Sequence, residues 1–545
     1  MKKSSSHLTW QAILLAIPGS ILITASSTYV AMRASALPWP TIFVAVLSFA
    51  IMRLFGRHDV NEMNVAATGM SAGAMVAGGL VFTLPGLFIS GIWTVDADAP
   101  AGNFIREHFP IVLGIALAGV LLGTALCWIF RRRNIEQLEL PYPIGKAAAS
   151  TLSAGEAGGK KALYLFGALA VAAVLTLLRD QFGTFPAMAA FAVAGIPMTF
   201  YFAPMAIGIG SLIGFNATIF WFVGAAITTL ARFILTRAAA AHGWAGMEEA
   251  FAGWNLTTAI ALMVGAGAGT LLAFIGRSFK NRKKTSSKDP GASTRGNRRV
   301  GMVSLILVAI AFVLSIVTGL GVLPSILLML GVFFAAMLSS IITGQTGINP
   351  MELFGIIVLL AIRGILNVSA AHAFYIAAIV AVACGYAGDM MNDYKSGAML
   401  KTNPASQFFI ELIGGIVGAL TASIAILALI HSAGGVGPEV GLPAAQAHSV
   451  TAMVQGIGDP VLFAIGAVVG CLLTLANVPA MIIGIGMMLT GSGLALPIVI
   501  GGLIELLARK RMSQGGQQSI QMAAAGLLGG EGLMGTILAI IGLFK

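Results

Sequence analysis

Charge is what this chain has least of. Asp, Glu, Lys and Arg make up 9% of its 545 residues, against about a quarter in a soluble domain. That scarcity argues against a string of soluble domains. Cysteine is scarcer still: Cys127, Cys384 and Cys471 fall in or beside apolar runs without metal-ligand spacing, and read as packing residues. GxxxxGK[ST] is missing, which argues against a P-loop ATPase, and HExxH is missing as well. Strand-type alternation is not evident, which argues against a β-barrel. GMSAG at residues 69–73 matches the GxSxG elbow in form, but it sits inside an apolar helical run rather than at a strand–turn–helix junction. No catalytic site or cofactor motif stands out, so the chain reads as a non-enzyme.

What is abundant is apolar sequence. Hydrophobic residues make up 58% of the chain, glycine contributes 68 positions, and mean hydropathy is +0.93. A membrane-crossing helix needs about 20 apolar residues. Runs of that kind fall near 9–31, 39–55, 64–91, 109–130, 161–178, 186–202, 212–235 and 256–276. Others fall near 301–319, 323–343, 351–365, 367–388, 406–431, 460–476, 478–492, 494–508 and 517–543. The expected fold is an all-α polytopic membrane protein of about 14–16 segments, some re-entrant or broken. The N-terminus starts like a signal peptide, but its long apolar stretch lacks a clear cleavage site and is expected to be a retained first span.

The net charge of +11 sits mostly in short loops and is a topology signal, not a nucleic-acid signature. Residues 277–299 carry nine Lys/Arg and one Asp. They form a basic cytoplasmic linker (277–300) between membrane halves 1–276 and 301–545. The positive-inside rule puts Lys2/Lys3, Arg53/Arg57, Arg131–Arg133 and Arg509–Arg511 in the cytoplasm with it. Asp96, Asp98 and the Gly/Pro-rich 432–458 segment are then outside.

An ionisable side chain at membrane depth costs roughly 2.5–3.5 kcal/mol on insertion scales and usually faces a cavity or a partner. Glu62, Glu156, Glu352, Asp389, Asp393, Glu411, Asp459, Glu505, Glu531, Lys146, Arg363 and Lys395 are the candidates. In LELPYPIGKAAASTLSAGE, residues 138–156, Pro141 and Pro143 resist a continuous helix. The small residues that follow suit a half-helix whose amides, with Lys146, would meet a carboxylate; an interfacial loop with a snorkelling lysine fits equally well. In CGYAGDMMNDYKSGAMLKTNPASQFF, residues 384–409, Asp389 and Asp393 share a helical face. Close carboxylates suit proton binding, although a cytoplasmic-edge loop with capping acids is the plainer reading. Lys395 lies on another face unless the helix breaks near Ser396–Gly397. His372 is expected to be a core histidine before a proton relay. Glu505 and Glu531 are expected to pair with arginines in packed helices.

These blocks, together with NEMNVAATGMSAGAMVAGGLVFTLPG at 61–86, LALPIVIGGLIE and GGEGLMG, resemble the oligopeptide transporter (OPT) family, its bacterial and yellow stripe-like branches most. They lie in family order over nearly the whole chain. Departures are Ala74-Met75 after SAG, Asn392 for glutamine, Ala405 for arginine, and Lys146 for a small or polar residue. The resemblance implies a secondary active, usually proton-coupled, importer with two pseudo-symmetric halves, each with an interrupted hairpin, at 141–156 and near 388–404. Its cargo would be small oligopeptides, or alternatively metal–chelate complexes of siderophore or nicotianamine type. Expected site or coupling residues are Glu62, Tyr142, Lys146, Glu156, Asp389, Asn392, Asp393 and Lys395, with no metal and no cofactor. Expected partners are protons, the bilayer of a bacterial inner membrane, and in one arrangement a second copy as a homodimer. A reading of another class is an intramembrane hydrolase pairing Asp389 with Asp459.

Overall fold

Glycine and alanine set how closely the helices approach. In a computed structural model, the described residues are 7–35, 41–96, 100–153, 160–193, 195–244, 246–281, 298–347, 349–455, 459–488 and 493–542. The helices in chain order are α1 (Trp10–Ala34), α2 (Thr41–Leu54), α3 (Val60–Val81), α4 (Gly86–Ile89), α5 (Ala101–Arg131), α6 (Pro143–Ser153), α7 (Lys160–Asp180), α8 (Pro204–Ile213), α9 (Phe215–His242) and α10 (Met247–Asn281). After the basic linker come α11 (Arg298–Ser315), α12 (Val322–Thr346), α13 (Met351–Ile365), α14 (Ala370–Leu400), α15 (Pro404–Ala433), α16 (Ala445–Gln455), α17 (Pro460–Leu475), α18 (Ala480–Met488), α19 (Ala495–Arg511) and α20 (Gln514–Gly542). Eleven helices among the described residues are long and apolar enough to cross a bilayer. Shorter apolar helices, α2 and α17 among them, account for other expected runs. The protein is an all-α polytopic membrane protein.

α3 and α14 form the centre. Every residue of α3 from Glu62 onward is buried, and so is α14 from Ala373 through Tyr394. α14 packs against α3, α5, α6, α12 and α13. Small residues make this possible: a Cβ on Gly79 of α3 would lie 2.5 Å from the Val382 backbone, and one on Gly123 of α5 would overlap Tyr386. α15 closes on α3 in the same way, Gly414 against the Gly69 backbone and Gly418 against Gly73. Close contact of this kind supplies the dispersion that holds helices together in lipid. Around this core α11, α12 and α17 expose Leu305, Val313, Phe334, Val461 and Val468, as lipid-facing helices do. The contacts cross the linker freely, α3 with α14 and α15, and α7 with α20.

Two expectations need correction. The run at 186–202 is not a span but an antiparallel hairpin, Met188–Val193 paired with Ile196–Tyr201; Gly195 takes φ +80° at its turn, and Pro197 has no amide to continue a helix. The next run, 212–235, is the span α9, which starts after Gly214 at φ +84°. α14 does not break at Ser396–Gly397 but runs unbroken to Leu400, where Lys401 in the left-handed region ends it. The stretch near 388–404 is therefore a continuous helix and a tight turn, with Asn403 capping α15 through the Ala405 amide. The described part of the Gly/Pro-rich segment, 432–455, contains α16, which is largely buried.

Hydrogen bonds define the two ends of the bundle. At one, Asn61 and Asn64 meet Thr402, and the Asn403 amide donates to His7 Nδ1. At the other, Gln455 donates to the Ser90 carbonyl and Arg363 to the Val454 carbonyl, so the chain segments near Asp96 and 432–455 share an end.

The α3–α15 contact predicts that Gly414→Leu lowers unfolding stability by about 1–3 kcal/mol, the usual cost of overpacking. Gly102→Ala, whose added Cβ has open space, should leave it unchanged. Thermal unfolding in detergent, followed by loss of the monodisperse species, checks both.

Candidate functional site

Asp389 and Asp393 are both buried on α14, one turn apart. They do not bond to one another. Asp389 Oδ2 accepts from Asn349 Nδ2 at 2.8 Å, and its Oδ1 has no partner. Asn349 lies between α12 and α13 and also donates to the Cys384 carbonyl at 3.0 Å. Ser339 of α12 donates to Asn349 Oδ1 at 2.7 Å, fixing the amide's orientation. Gly388 admits Asn349, since a Cβ there would overlap its Nδ2. Asp393 turns instead to α3, where the Ser71 hydroxyl donates to Oδ2 at 2.6 Å. Gln407 of α15 donates to the Asp393 carbonyl and to the Thr68 hydroxyl. Ser396 donates to Asn64 Oδ1 at 2.8 Å. A polar seam thus joins α3, α12, α14 and α15 inside an apolar bundle.

The acids' partners are neutral. No ion pair reaches Asp389 or Asp393 among the described residues. A hydroxyl such as that of Ser71 can donate to a carboxylate or accept from a carboxylic acid. The seam therefore accommodates Asp393 with or without a proton. An unpaired buried carboxylate costs several kcal/mol.

The Pro-Tyr-Pro turn is fixed against α12. Tyr142 is buried with φ +40°, a conformation that costs roughly 1–2 kcal/mol for a residue with a Cβ. It is held there by its amide on the Gly344 carbonyl at 2.9 Å and by its hydroxyl on the Ser340 carbonyl at 2.7 Å. Burial pushes the Tyr142 phenol pKa well up, so it stays neutral. The expected half-helix is α6. Its Gly145 amide donates to Asn392 Oδ1 at 3.1 Å, and a Cβ on Gly145 would overlap the Asn392 carbonyl. In this conformation that amide serves α14 rather than an incoming anion. Lys146 is exposed and Lys395 half-buried; Lys146 and Glu139 are the charges that act on Lys395.

The other expected residues are more scattered. Glu62 is buried at the start of α3 and makes a two-point ion pair with Arg57, Nε to Oε2 at 2.8 Å and Nη2 to Oε1. The hydrogen bond to Glu62 holds the Arg57 pKa above its ordinary range. Glu156 lies outside the described residues. Asp459 is exposed and caps α17 through the Val461 and Leu462 amides, so it is not paired with Asp389 as a hydrolase would need. Glu531 pairs with Arg179 at 3.0 Å and accepts the Met205 amide, and Glu505 lies 3.7 Å from Arg509, as expected of structural acids. His372 is only partly buried, in the first turn of α14. None of the seven expected residues that are described lines the cavity of ≈960 Å³ between the hairpin, α9, α10 and α19. Its walls include partly exposed faces of α9 and α10, so it is a groove at the bundle surface.

Asn349→Ala removes the donor to Asp389 and should cost about 1–3 kcal/mol. Combined with Asp389→Asn, it should cost less than the two single changes added together. A double-mutant cycle on unfolding in detergent measures this.

The family model described as "OPT oligopeptide transporter protein" matches residues 7–541. A Haemophilus influenzae protein named "Putative oligopeptide transporter" is 26% identical over 587 aligned positions, covering 92% of this chain and 90% of that protein. The chain belongs to the OPT oligopeptide transporter family.

Proposed function

We propose that this membrane transporter is a secondary active, proton-coupled importer of small oligopeptides or peptide-like solutes. The observation that carries the reading is the burial of Asp389 and Asp393 with neutral partners, Asn349 and Ser71. A purely structural acid at this depth is better served by a cation, as Glu531 is by Arg179. Acids that stand without one can take up a proton, or a substrate ammonium, and later release it. Lys146 and Lys395, beside the α6 turn, are the cations placed to meet a peptide carboxylate at the mouth of the seam. Tyr142 holds the start of α6 against α12 and Asn392 holds it against α14, and Glu62 with Arg57 anchors the start of α3.

The conformation is a closed one, in which the seam is packed. Access requires α14 and α15 to part from α3 and α5, a joint between residues 1–276 and 301–545. The end of the bundle holding Arg57, Lys395 and Lys401 faces the cytoplasm of a bacterial inner membrane by the positive-inside rule, and the N-terminus lies with it.

Reconstituted vesicles taking up labelled small peptides under an inward proton gradient test the reading. Wild type is expected to accumulate peptide, with the gradient-driven part lost in Asp389→Asn and in Asp393→Asn. Unchanged uptake and pH dependence in both variants would remove the coupling role. Competition by a ferric chelate but not by peptides would move the cargo to metal complexes.

A further inference from the structure

A third acid lies in the same joint. Glu411 of α15 is fully buried, and neither carboxyl oxygen has a hydrogen-bond partner. No ion pair reaches it among the described residues. Its surroundings are polar but uncharged. The Tyr394 hydroxyl from α14 and the Cys127 thiol from α5 face it, and Cys127 is itself turned to the Tyr386 carbonyl at 3.1 Å. The hydroxyls of Tyr386 and Tyr394 are also buried without partners. One turn along α15, Gly415 makes the room: a Cβ there would overlap the Tyr386 hydroxyl. Among the described residues, the titratable groups that bear on Glu411 are Tyr386, Asp393 and Tyr394 from α14 and Cys127 from α5; Arg131 at the end of α5 acts on Tyr394. α1, α3 and α20, which also pack on α15, bring none.

Unsatisfied buried polar groups are rare in folded proteins, and four such atoms on three side chains at one joint call for a cause. An ionised carboxylate that faces only a phenol and a thiol, with no cation, is costly to bury, and adding a proton removes the charge. We propose that Glu411 is a proton-binding site in the bundle core, distinct from Asp389 and Asp393. It is held as the neutral acid while α5, α14 and α15 are packed, and loses its proton to water when they separate. Its part in coupling rests on the proton-coupled reading above; its occupancy by a proton does not.

Infrared spectroscopy of the purified full chain in lipid bilayers, titrated from acid to alkaline pH, tests the site. Wild type should show a protonated-carboxyl C=O band that is missing from Glu411→Gln, retained in Asp393→Asn, and shifted in Tyr394→Phe. Spectra of wild type and Glu411→Gln that coincide would overturn the proposal. Should Glu411→Gln fail to assemble, Tyr394→Phe decides: a shifted band supports the site, and an unmoved spectrum overturns it. In vesicles, peptide uptake by Glu411→Gln should no longer respond to the proton gradient. A response equal to that of wild type would exclude Glu411 from coupling. A wild type without any proton response would instead sink the proton-coupled reading, leaving the infrared band to judge Glu411 by itself.

Discussion

The controlling constraint is the burial of α14's acids among apolar helices. A carboxylate removed from water needs a cation, a set of donors or a proton. Here Asp389 and Asp393 look in different directions for neutral donors, Asn349 on one side and Ser71 on the other. Those two bonds tie α14 to the α12–α13 junction and to α3, so the chemistry of the acids and the packing of the core are the same contacts. Moving a proton onto either acid changes what the joint is worth. This is the property a carrier needs if proton and cargo are to be linked.

Glycine allows these bonds to form. Side-chain hydrogen bonds across helices need backbones close together, and Gly79, Gly123, Gly145, Gly414 and Gly418 each stand where a Cβ would meet the neighbouring helix. The outer helices differ: α11, α12 and α17 turn large aliphatic side chains outward. The molecule is tightly packed and mostly apolar at the centre, broken by one polar seam, and apolar again at the rim. Arg179 with Glu531, tied to the Met205 amide, is a fully paired cluster away from the seam. On the proposed reading, the contrast between paired and unpaired acids separates the scaffold from the working part.

Much of this was legible in the letters. Long apolar runs announce helices because lipid leaves the backbone no other partner. Asp389, Asp393 and Glu411 stand out because charge is so scarce around them, and the Pro141–Pro143 turn foretold α6. The partners were not legible. Ser71 lies in a run of small packing residues, and Asn349 in an ordinary turn before Pro350, so their roles come from tertiary contacts between distant segments. The hairpin at 188–201 was hidden because both of its strands are as apolar as a span; Gly195 and Pro197 were the signal. The unbroken course of α14 through Gly397 shows neighbours outweighing glycine's weak helix propensity: Gly397 is pressed against the Gln407 side chain.

The central claim, that the seam between α3 and α14 opens to water during the working cycle, is tested most directly by thiol accessibility. Ser71→Cys, with Cys127, Cys384 and Cys471 replaced by alanine, is exposed to a membrane-impermeant thiol reagent from each face of sealed vesicles. Labelling at Cys introduced in place of Ser71 that rises when peptide and a proton gradient are present is the predicted result. A thiol that stays unreactive from both faces under every condition would show a solid structural core and contradict the account.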